Sequence, residues 1–177
     1  DSLVARGATY CATPQEIAEV TDIVFSIVGY PKDVREIYFG EKGVFKADVH
    51  GTFLVDMTTS EPALAQEIYH AAKEAGASAL DAPVSGGDIG AKNASLTIMV
   101  GGEEEAYEHL LPYFEAIGKT ITRQGAAGAG QHTKMANQIA IAGTMTAMTE
   151  LMVYADKAGL DVEKVLQTVG GGSAATW

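Results

Sequence analysis

Short apolar runs alternate with segments of helical periodicity through the first two-thirds of the chain. The run Ile23–Val28 is almost continuously apolar, as expected for a strand that is covered on both faces. Several helical segments begin at a proline, whose missing amide donor costs nothing at a helix start. This alternation predicts βαβ units in a mainly parallel sheet, and so a doubly wound α/β domain. The strand candidates are Ala8–Cys11, Asp22–Val28, Thr52–Met57, Ser78–Val84, Leu96–Gly101 and Thr120–Arg123, and the helical segments begin near Pro14, Pro31, Pro62 and Glu103.

The pattern changes after residue 125. Glycine and alanine fill residues 125–130, and a helical pattern then runs from about Gln131 to Ala158, ended by Gly159. Apolar residues recur on more than one side of this segment, so we expect a helix that is buried nearly all round by a further domain or another subunit. A shorter helix follows over Val162–Val169. We therefore predict a domain boundary near residue 126.

Composition and charge narrow the classes of partner. The 177 residues are 47% hydrophobic and 20% charged, which is typical of a globular protein. The net charge is −11, whereas a nucleic-acid-binding protein usually carries a basic surface. Residues 135–149 form the longest uncharged stretch of the helical half, and they are too few to span a bilayer, so we expect no membrane partner. The single cysteine, Cys11, excludes an internal disulfide framework and agrees with a cytoplasmic location.

The segment Asp81–Gly87 follows a predicted strand, and therefore lies at a carboxyl end of the sheet, where open α/β folds bind ligands. Gly86 and Gly87 allow backbone amides to converge on an anion, and Ser85 adds a hydroxyl donor. These groups suit the carboxylate of a small substrate. A plain strand and turn, in which the glycines serve only geometry, explains the segment equally well.

Lys134 is the candidate for proton transfer. If the long helix begins near Gln131, Lys134 and Asn137 share a face. No charge follows Lys134 until Glu150, which indicates a partly buried lysine. Desolvation lowers the pKa of a lysine and allows it to exchange protons near neutral pH. The alternative is a lysine at a helix start that reaches into water.

Thr58 and Thr59 end another strand candidate, at a position that faces ligand in this class of sheet. A threonine before a helix is equally a helix N-cap, so both interpretations stay open. The four histidines of the chain show no spacing typical of metal ligands, and we expect no metal site.

Three motifs together resemble the β-hydroxyacid dehydrogenase family. They are Asp81-Ala-Pro-Val-Ser-Gly-Gly87, Leu96-Thr-Ile-Met-Val-Gly-Gly102 and Gly128-x-Gly-Gln-x-x-Lys134-x-x-Asn137. The family includes 3-hydroxyisobutyrate dehydrogenase and tartronate semialdehyde reductase, with 6-phosphogluconate dehydrogenase a more distant relative. The resemblance covers nearly the whole chain and implies an NAD(P)-binding Rossmann-like domain over residues 1–126, followed by the start of an all-helical domain over residues 127–177. It implies NAD or NADP as cofactor, and hydride transfer between the nicotinamide and a small β-hydroxyacid or its semialdehyde.

The resemblance also assigns roles to individual positions. It implies a general acid/base lysine, a substrate loop with a substrate-side asparagine, and contacts to the nicotinamide cofactor. In that order the matched positions are Lys134; Ser85, Gly86, Gly87 and Asn137; and Val28, Gly29, Thr58 and Thr59. At Gly29 this chain departs from the family, which usually carries a proline there.

The family opens with a strand and a Gly-x-Gly-x-x-Gly turn that cradles the cofactor pyrophosphate, and this chain contains no such turn. We expect one further βαβ unit of about 30 residues upstream of Asp1, and more of the helical domain after Trp177. The chain by itself is then expected to be inactive, and the enzyme to be a homo-oligomer.

Two other functions stay open. A 6-phosphogluconate-type dehydrogenase would require a basic cluster, and residues 81–138 offer little beyond Lys92, Lys119 and Arg123. A non-catalytic dinucleotide-binding or dimerisation module would keep the scaffold and lose the chemistry. The presence of Lys134 argues against the second alternative.

Overall fold

The computed structural model describes residues 2–174 and shows a mixed α/β arrangement. Its helices are α1 (Pro14–Ala18), α2 (Pro31–Phe39), α3 (Pro62–Glu74), α4 (Gly87–Lys92), α5 (Glu104–Glu115), α6 (Ala129–Lys157) and α7 (Val162–Gly170). Its strands are β1 (Ile23–Ser26), β2 (Phe53–Asp56), β3 (Ser78–Asp81), β4 (Val84–Ser85), β5 (Leu96–Gly101) and β6 (Gly118–Gly125). Single 3₁₀ turns lie at Val4–Arg6 and Val44–Lys46. The proline starts predicted for α1, α2 and α3 are confirmed.

The sheet is mainly parallel, as predicted: among residues 2–174, three strand pairings are parallel and two are antiparallel. β1, β2 and β3 are parallel, and their last residues Ser26, Asp56 and Asp81 lie side by side in register. β5 runs antiparallel to β3 and β4, and β6 is parallel to β5. The connection between β4 and β5, residues 86–95, is shorter than the dozen or so residues that a parallel crossover requires. The chain therefore has to reverse its direction at this point.

Both faces of the sheet are buried at β2. Alternate residues of a strand point to opposite faces, and the neighbours Leu54 and Val55 are only 1% and 0% exposed. Leu54 packs in a cluster with side chains of α2 and α3, whereas Val55 packs in a second cluster with side chains of α5. Helices therefore cover both sides of β2, which confirms the predicted doubly wound, Rossmann-like arrangement.

Two local predictions need correction, and one helix was not predicted. Residues 8–11 form no strand, because within residues 2–174 no other segment pairs with them, and Tyr10 is 74% exposed. The predicted strand Ser78–Val84 is interrupted before Val84, because Pro83 has no amide to donate to a ladder. The helix α4 was not expected in a segment that begins with two glycines.

The long helix α6 is confirmed and begins two residues earlier than predicted, at Ala129. Two compact units divide inside it, between Lys134 and Met135, and the predicted domain boundary near residue 126 stays a prediction. In the second unit Ile139 and Tyr154 are each 74% exposed. Both side chains are exposed in this chain, and burial of the helix by a further domain or another subunit stays a prediction. Among residues 2–174, no helix combines the length and apolar character needed to cross a bilayer.

Candidate functional site

Hydrogen bonds join the carboxyl ends of β1 and β2. The Val28 amide donates to Thr58 Oγ1 at 3.0 Å. The Thr58 amide and the Ser26 hydroxyl both donate to Asp56 Oδ1, at 3.1 and 3.2 Å. Burial raises the pKa of Asp56, and the hydrogen bonds from Thr58 and Ser26 oppose this rise. The buried Asp56 carboxyl group and the Thr58 hydroxyl therefore hold the ends of the two strands together.

Asp81, the last residue of β3, caps the start of α6. The amides of Gly128 and Gln131 donate to Asp81 Oδ1 and Oδ2, each at 2.8 Å. These are among the amides that a helix start leaves without an intrahelical partner. Burial raises the pKa of Asp81, and the same two hydrogen bonds oppose the rise. The cap fixes the first turn of α6 against the carboxyl end of β3.

Two glycines allow this close approach. A Cβ atom on Gly130 would lie 2.6 Å from the carbonyl oxygen of Asp81. A Cβ atom on Gly101, at the end of β5, would lie 2.7 Å from the Gly130 amide nitrogen. Both positions favour a residue without a side chain, because a Cβ atom would meet backbone atoms as well as the Asp81 carboxylate.

Gln131 links the first turn of α6 to the segment after β2. Its side chain is fully buried, at 0% exposed. Its Nε2 donates to the Thr58 carbonyl oxygen at 2.7 Å, and its Oε1 accepts from the Ser60 amide at 2.8 Å. No role of Gln131 or Asp81 is evident from the sequence, because their partners lie 47 to 73 residues away along the chain. The signal that the sequence offers for Gln131 is its place in the third motif, between Gly130 and Lys134.

Lys134 follows Gln131 by one helical turn, so both lie on the same face of α6. It is only 6% exposed. Burial lowers its pKa from the ordinary value of 10.5. The predicted burial of Lys134 is confirmed, and the alternative of a lysine that reaches into water is wrong for this structure. Its part in proton transfer stays a prediction.

The predicted substrate loop follows Asp81 directly. Ser85 is half-buried and ends β4, where it pairs with Thr97 of β5. Gly86 and Gly87 have φ angles of 127° and 61°, a region that favours glycine. The geometric requirement for these two glycines is thus confirmed, whereas their contact with substrate stays a prediction.

The remaining predicted positions differ in burial. Thr58 is buried and belongs to the hydrogen-bond network, while Thr59 and Gly29 are exposed. Asn137 is half-buried and lies one turn beyond Lys134 on α6, in the second compact unit. The structure thus brings Val28, Thr58 and the turn before Lys134 together.

The hydroxyl group of Ser60 is a buried polar group next to this network. Its hydroxyl oxygen is buried and has no hydrogen-bond partner among residues 2–174. A buried polar group without a partner costs free energy unless water or a ligand satisfies it. Ser60 follows the exposed Thr59, so two neighbouring residues after β2 each carry a hydroxyl group.

A separate cavity of about 290 Å³ lies away from this network. Its lining includes Ser78, the first residue of β3, together with Tyr69 and Glu103, which share a hydrogen bond. None of the predicted site residues lines it. Within residues 2–174, no group of three or more histidine, cysteine or acidic side chains is arranged to hold a metal ion.

Two family profiles match the chain. Residues 1–126 match the NAD binding domain of 6-phosphogluconate dehydrogenase. Residues 128–177 match the NAD-binding domain of NADP-dependent 3-hydroxyisobutyrate dehydrogenase.

Individual relatives are similar over the whole chain. An uncharacterised oxidoreductase of Bacillus subtilis is 50% identical over 100% of this chain and 62% of its own length. The 2-hydroxy-3-oxopropionate reductase of Escherichia coli is 42% identical over 99% of this chain and 60% of its own length. The structure of Mycobacterium tuberculosis 3-hydroxyisobutyrate dehydrogenase with L-serine matches with a TM-score of 0.85 and 32% identity, over 97% of this chain and 58% of that one. The chain thus spans about 60% of the length of these relatives.

Proposed function

The chain belongs to the family of the NAD binding domain of 6-phosphogluconate dehydrogenase, over residues 1–126, and from this we propose that the complete protein is an NAD(P)-dependent oxidoreductase. It transfers a hydride between the nicotinamide and a small β-hydroxyacid or its semialdehyde. One observation carries the proposal: Lys134 is buried, with a lowered pKa, one helical turn after a residue that is hydrogen-bonded to the segment Thr58–Ser60.

NAD or NADP, when bound, supplies the acceptor or donor of the hydride. The residues proposed to hold its nicotinamide end are Val28, Gly29, Thr58 and Thr59. Within residues 2–174 the Ser60 hydroxyl has no hydrogen-bond partner, and the neighbouring Thr59 is exposed; both support this assignment, because a carboxamide both donates and accepts hydrogen bonds.

The residues of this chain then bind the substrate and move the proton. Lys134 takes the hydroxyl proton of the substrate during oxidation and returns it during carbonyl reduction. Asn137 orients the reacting oxygen. The substrate carboxylate is held by the residues of the loop, namely the Ser85 hydroxyl with the amides of Gly86 and Gly87.

The pH dependence follows from the lowered pKa of Lys134. Oxidation requires the neutral amine, so its kcat/KM should rise with pH through an apparent pKa below the ordinary 10.5. Reduction requires the ammonium, so its kcat/KM should fall through the same range. The measurement is kcat/KM against pH in both directions, and slopes of the same sign would contradict the assignment. Folding stability should also rise with pH in this range, because the unfolded chain binds more protons at this lysine than the folded one does.

Ser85→Ala should weaken binding of the substrate carboxylate and change kcat little. A hydrogen bond to a charged group contributes about 1.5 to 3 kcal/mol, so KM should rise roughly 10- to 100-fold. The measurement is steady-state kinetics with saturating cofactor. Thr122→Ala on β6 removes a hydroxyl from an exposed position and serves as the control. An unchanged KM for Ser85→Ala would remove the loop from the substrate site.

A panel of small hydroxyacids, with and without a phosphate group, separates this proposal from a 6-phosphogluconate-type activity. Two of the basic side chains available to a phosphate already have partners. Lys92 pairs with Asp88 at 3.1 Å, and Arg123 donates to the Gly102 carbonyl oxygen at 2.9 Å. We therefore expect turnover with unphosphorylated hydroxyacids, whereas turnover restricted to sugar phosphates would favour the alternative.

A homo-oligomer and a cytoplasmic location belong to the same proposal. The exposed apolar side chains of α6, such as Ile139 and Tyr154, support a covering partner such as a second subunit or a further domain. The single cysteine, which is free, agrees with a reducing compartment.

A further inference from the structure

We propose that Gln131 is a positioning residue for this reaction: its buried side-chain amide holds the segment Thr58–Ser60 against the helical turn that carries Lys134. The inference rests on the proposed function for its chemistry and on the hydrogen bonds of Gln131 for its geometry. Gln131 is not proposed to touch the substrate or the cofactor.

The two hydrogen bonds of the Gln131 amide have opposite polarity. Its Nε2 donates to the Thr58 carbonyl oxygen, and its Oε1 accepts from the Ser60 amide. A glutamine side chain of this length satisfies both groups at once, with 0% of its surface exposed. Any apolar replacement would leave a buried carbonyl and a buried amide without this partner. A buried polar group without a hydrogen bond costs free energy of folding.

Gln131 is itself fixed from the opposite side. Its backbone amide donates to Asp81 Oδ2, so the residue is held between the end of β3 and the segment after β2. Thr58 is in turn held by Asp56 and by the Val28 amide. The start of α6 therefore has a defined position relative to the ends of all three parallel strands.

The consequence for chemistry follows from helix geometry. Gln131 and Lys134 are three residues apart and share a face of α6. The segment that Gln131 holds carries Thr58 and Thr59, which are proposed to lie beside the nicotinamide. Gln131 thus fixes the position of the lysine amine relative to the cofactor. A misplacement of a catalytic group by about 1 Å costs on the order of 100-fold in rate.

The test uses two variants of the complete protein. Gln131→Leu removes both hydrogen bonds and should lower kcat by roughly 10- to 100-fold while raising the KM for the cofactor. Gln131→Glu keeps the shape of the side chain. The introduced carboxyl can donate to the Thr58 carbonyl only when protonated, and burial raises its pKa. Its turnover relative to wild type at the same pH should therefore rise as the pH falls.

The control for the charge change is Gln124→Glu, at an exposed position of β6, whose turnover relative to wild type should not depend on pH. A flat ratio for Gln131→Glu, or wild-type turnover for Gln131→Leu, would overturn the proposal. A residue with only a structural role would lower the amount of folded enzyme, without giving the glutamate variant this pH-dependent recovery.

A second readout needs no turnover and no cofactor. In Gln131→Leu the Ser60 amide should exchange its hydrogen with solvent faster, because it loses its acceptor. The helical turn that carries Lys134 is then less tightly held and its amine is more exposed to water, so the pH midpoint for acylation of Lys134 should move up toward the ordinary lysine range. Unchanged exchange and an unchanged midpoint would overturn the positioning role. If the wild-type protein turns over no hydroxyacid while these two changes occur, the proposed function fails and the positioning of Lys134 by Gln131 stands.

Discussion

Lys134→Ala is expected to reduce turnover of the complete protein by about 10² to 10⁴, the usual contribution of a positioned general acid or base. The physical reason is that the variant has no group to accept the hydroxyl proton in a site from which water is largely excluded, since Lys134 is only 6% exposed. The measurement is kcat in both reaction directions at the pH optimum of the wild-type protein. Affinity for the cofactor should change far less than kcat, because the lysine acts on the substrate oxygen.

The matched control is Lys157→Ala, which removes an exposed lysine from the last turn of the same helix. It should keep wild-type turnover. Unchanged turnover in Lys134→Ala would contradict the catalytic assignment. A fall in turnover accompanied by an equal fall in the fraction of folded protein would also contradict it, so thermal unfolding of both variants belongs to the experiment.

Gly130→Ala is expected to lower the free energy of unfolding by about 1 to 3 kcal/mol, the usual cost of forcing atoms into a packed region. The new methyl group would lie 2.6 Å from the Asp81 carbonyl oxygen and 2.9 Å from its Oδ2. Relief of this clash must move the start of α6 away from β3, and Lys134 with it. Turnover should therefore fall as well, even in the fraction of the protein that folds.

Gly143→Ala is the control on the same helix. Within residues 2–174 a Cβ atom there would meet nothing within 4 Å, so in this chain the substitution should stabilise the helix by about 0.5 to 1 kcal/mol through its lower backbone entropy in the unfolded state. Denaturant unfolding of both variants gives the comparison. If the two substitutions shift stability equally, the close packing of α6 against β3 is not what Gly130 provides.

Local patterns predicted most of the architecture of this chain. Proline starts, apolar runs and the change of period after residue 125 are short-range signals, and they identified β2, α3 and α6 with small errors at the ends. The strand predictions that failed did so because a strand forms only where another strand pairs with it. Residues 8–11 have the residue pattern of a strand but pair with no other segment among residues 2–174, and β5 runs antiparallel to β4 because the connection between them is too short for a crossover.

The candidate site could be predicted only in part from the sequence. Lys134 could be identified because the uncharged residues after it are visible in the sequence, and its burial is confirmed. Gln131 and Asp81 could not, since their side chains act through hydrogen bonds to backbone groups 47 to 73 residues away. Backbone groups carry no residue identity, so no spacing of residue types reports such contacts. The raised pKa of Asp81 depends on the same buried surroundings and is equally invisible in the sequence.

The most direct test of the central claim is the fate of deuterium placed on the carbinol carbon of the best hydroxyacid substrate. The complete protein is incubated with that substrate and oxidised NAD or NADP, and the recovered nicotinamide is analysed by mass spectrometry. We expect deuterium on the reduced nicotinamide in the wild-type protein, and a rate lower by about 10² to 10⁴ in Lys134→Ala. Cofactor that binds without any transfer of deuterium would contradict it, and would indicate a dinucleotide-binding module without catalysis.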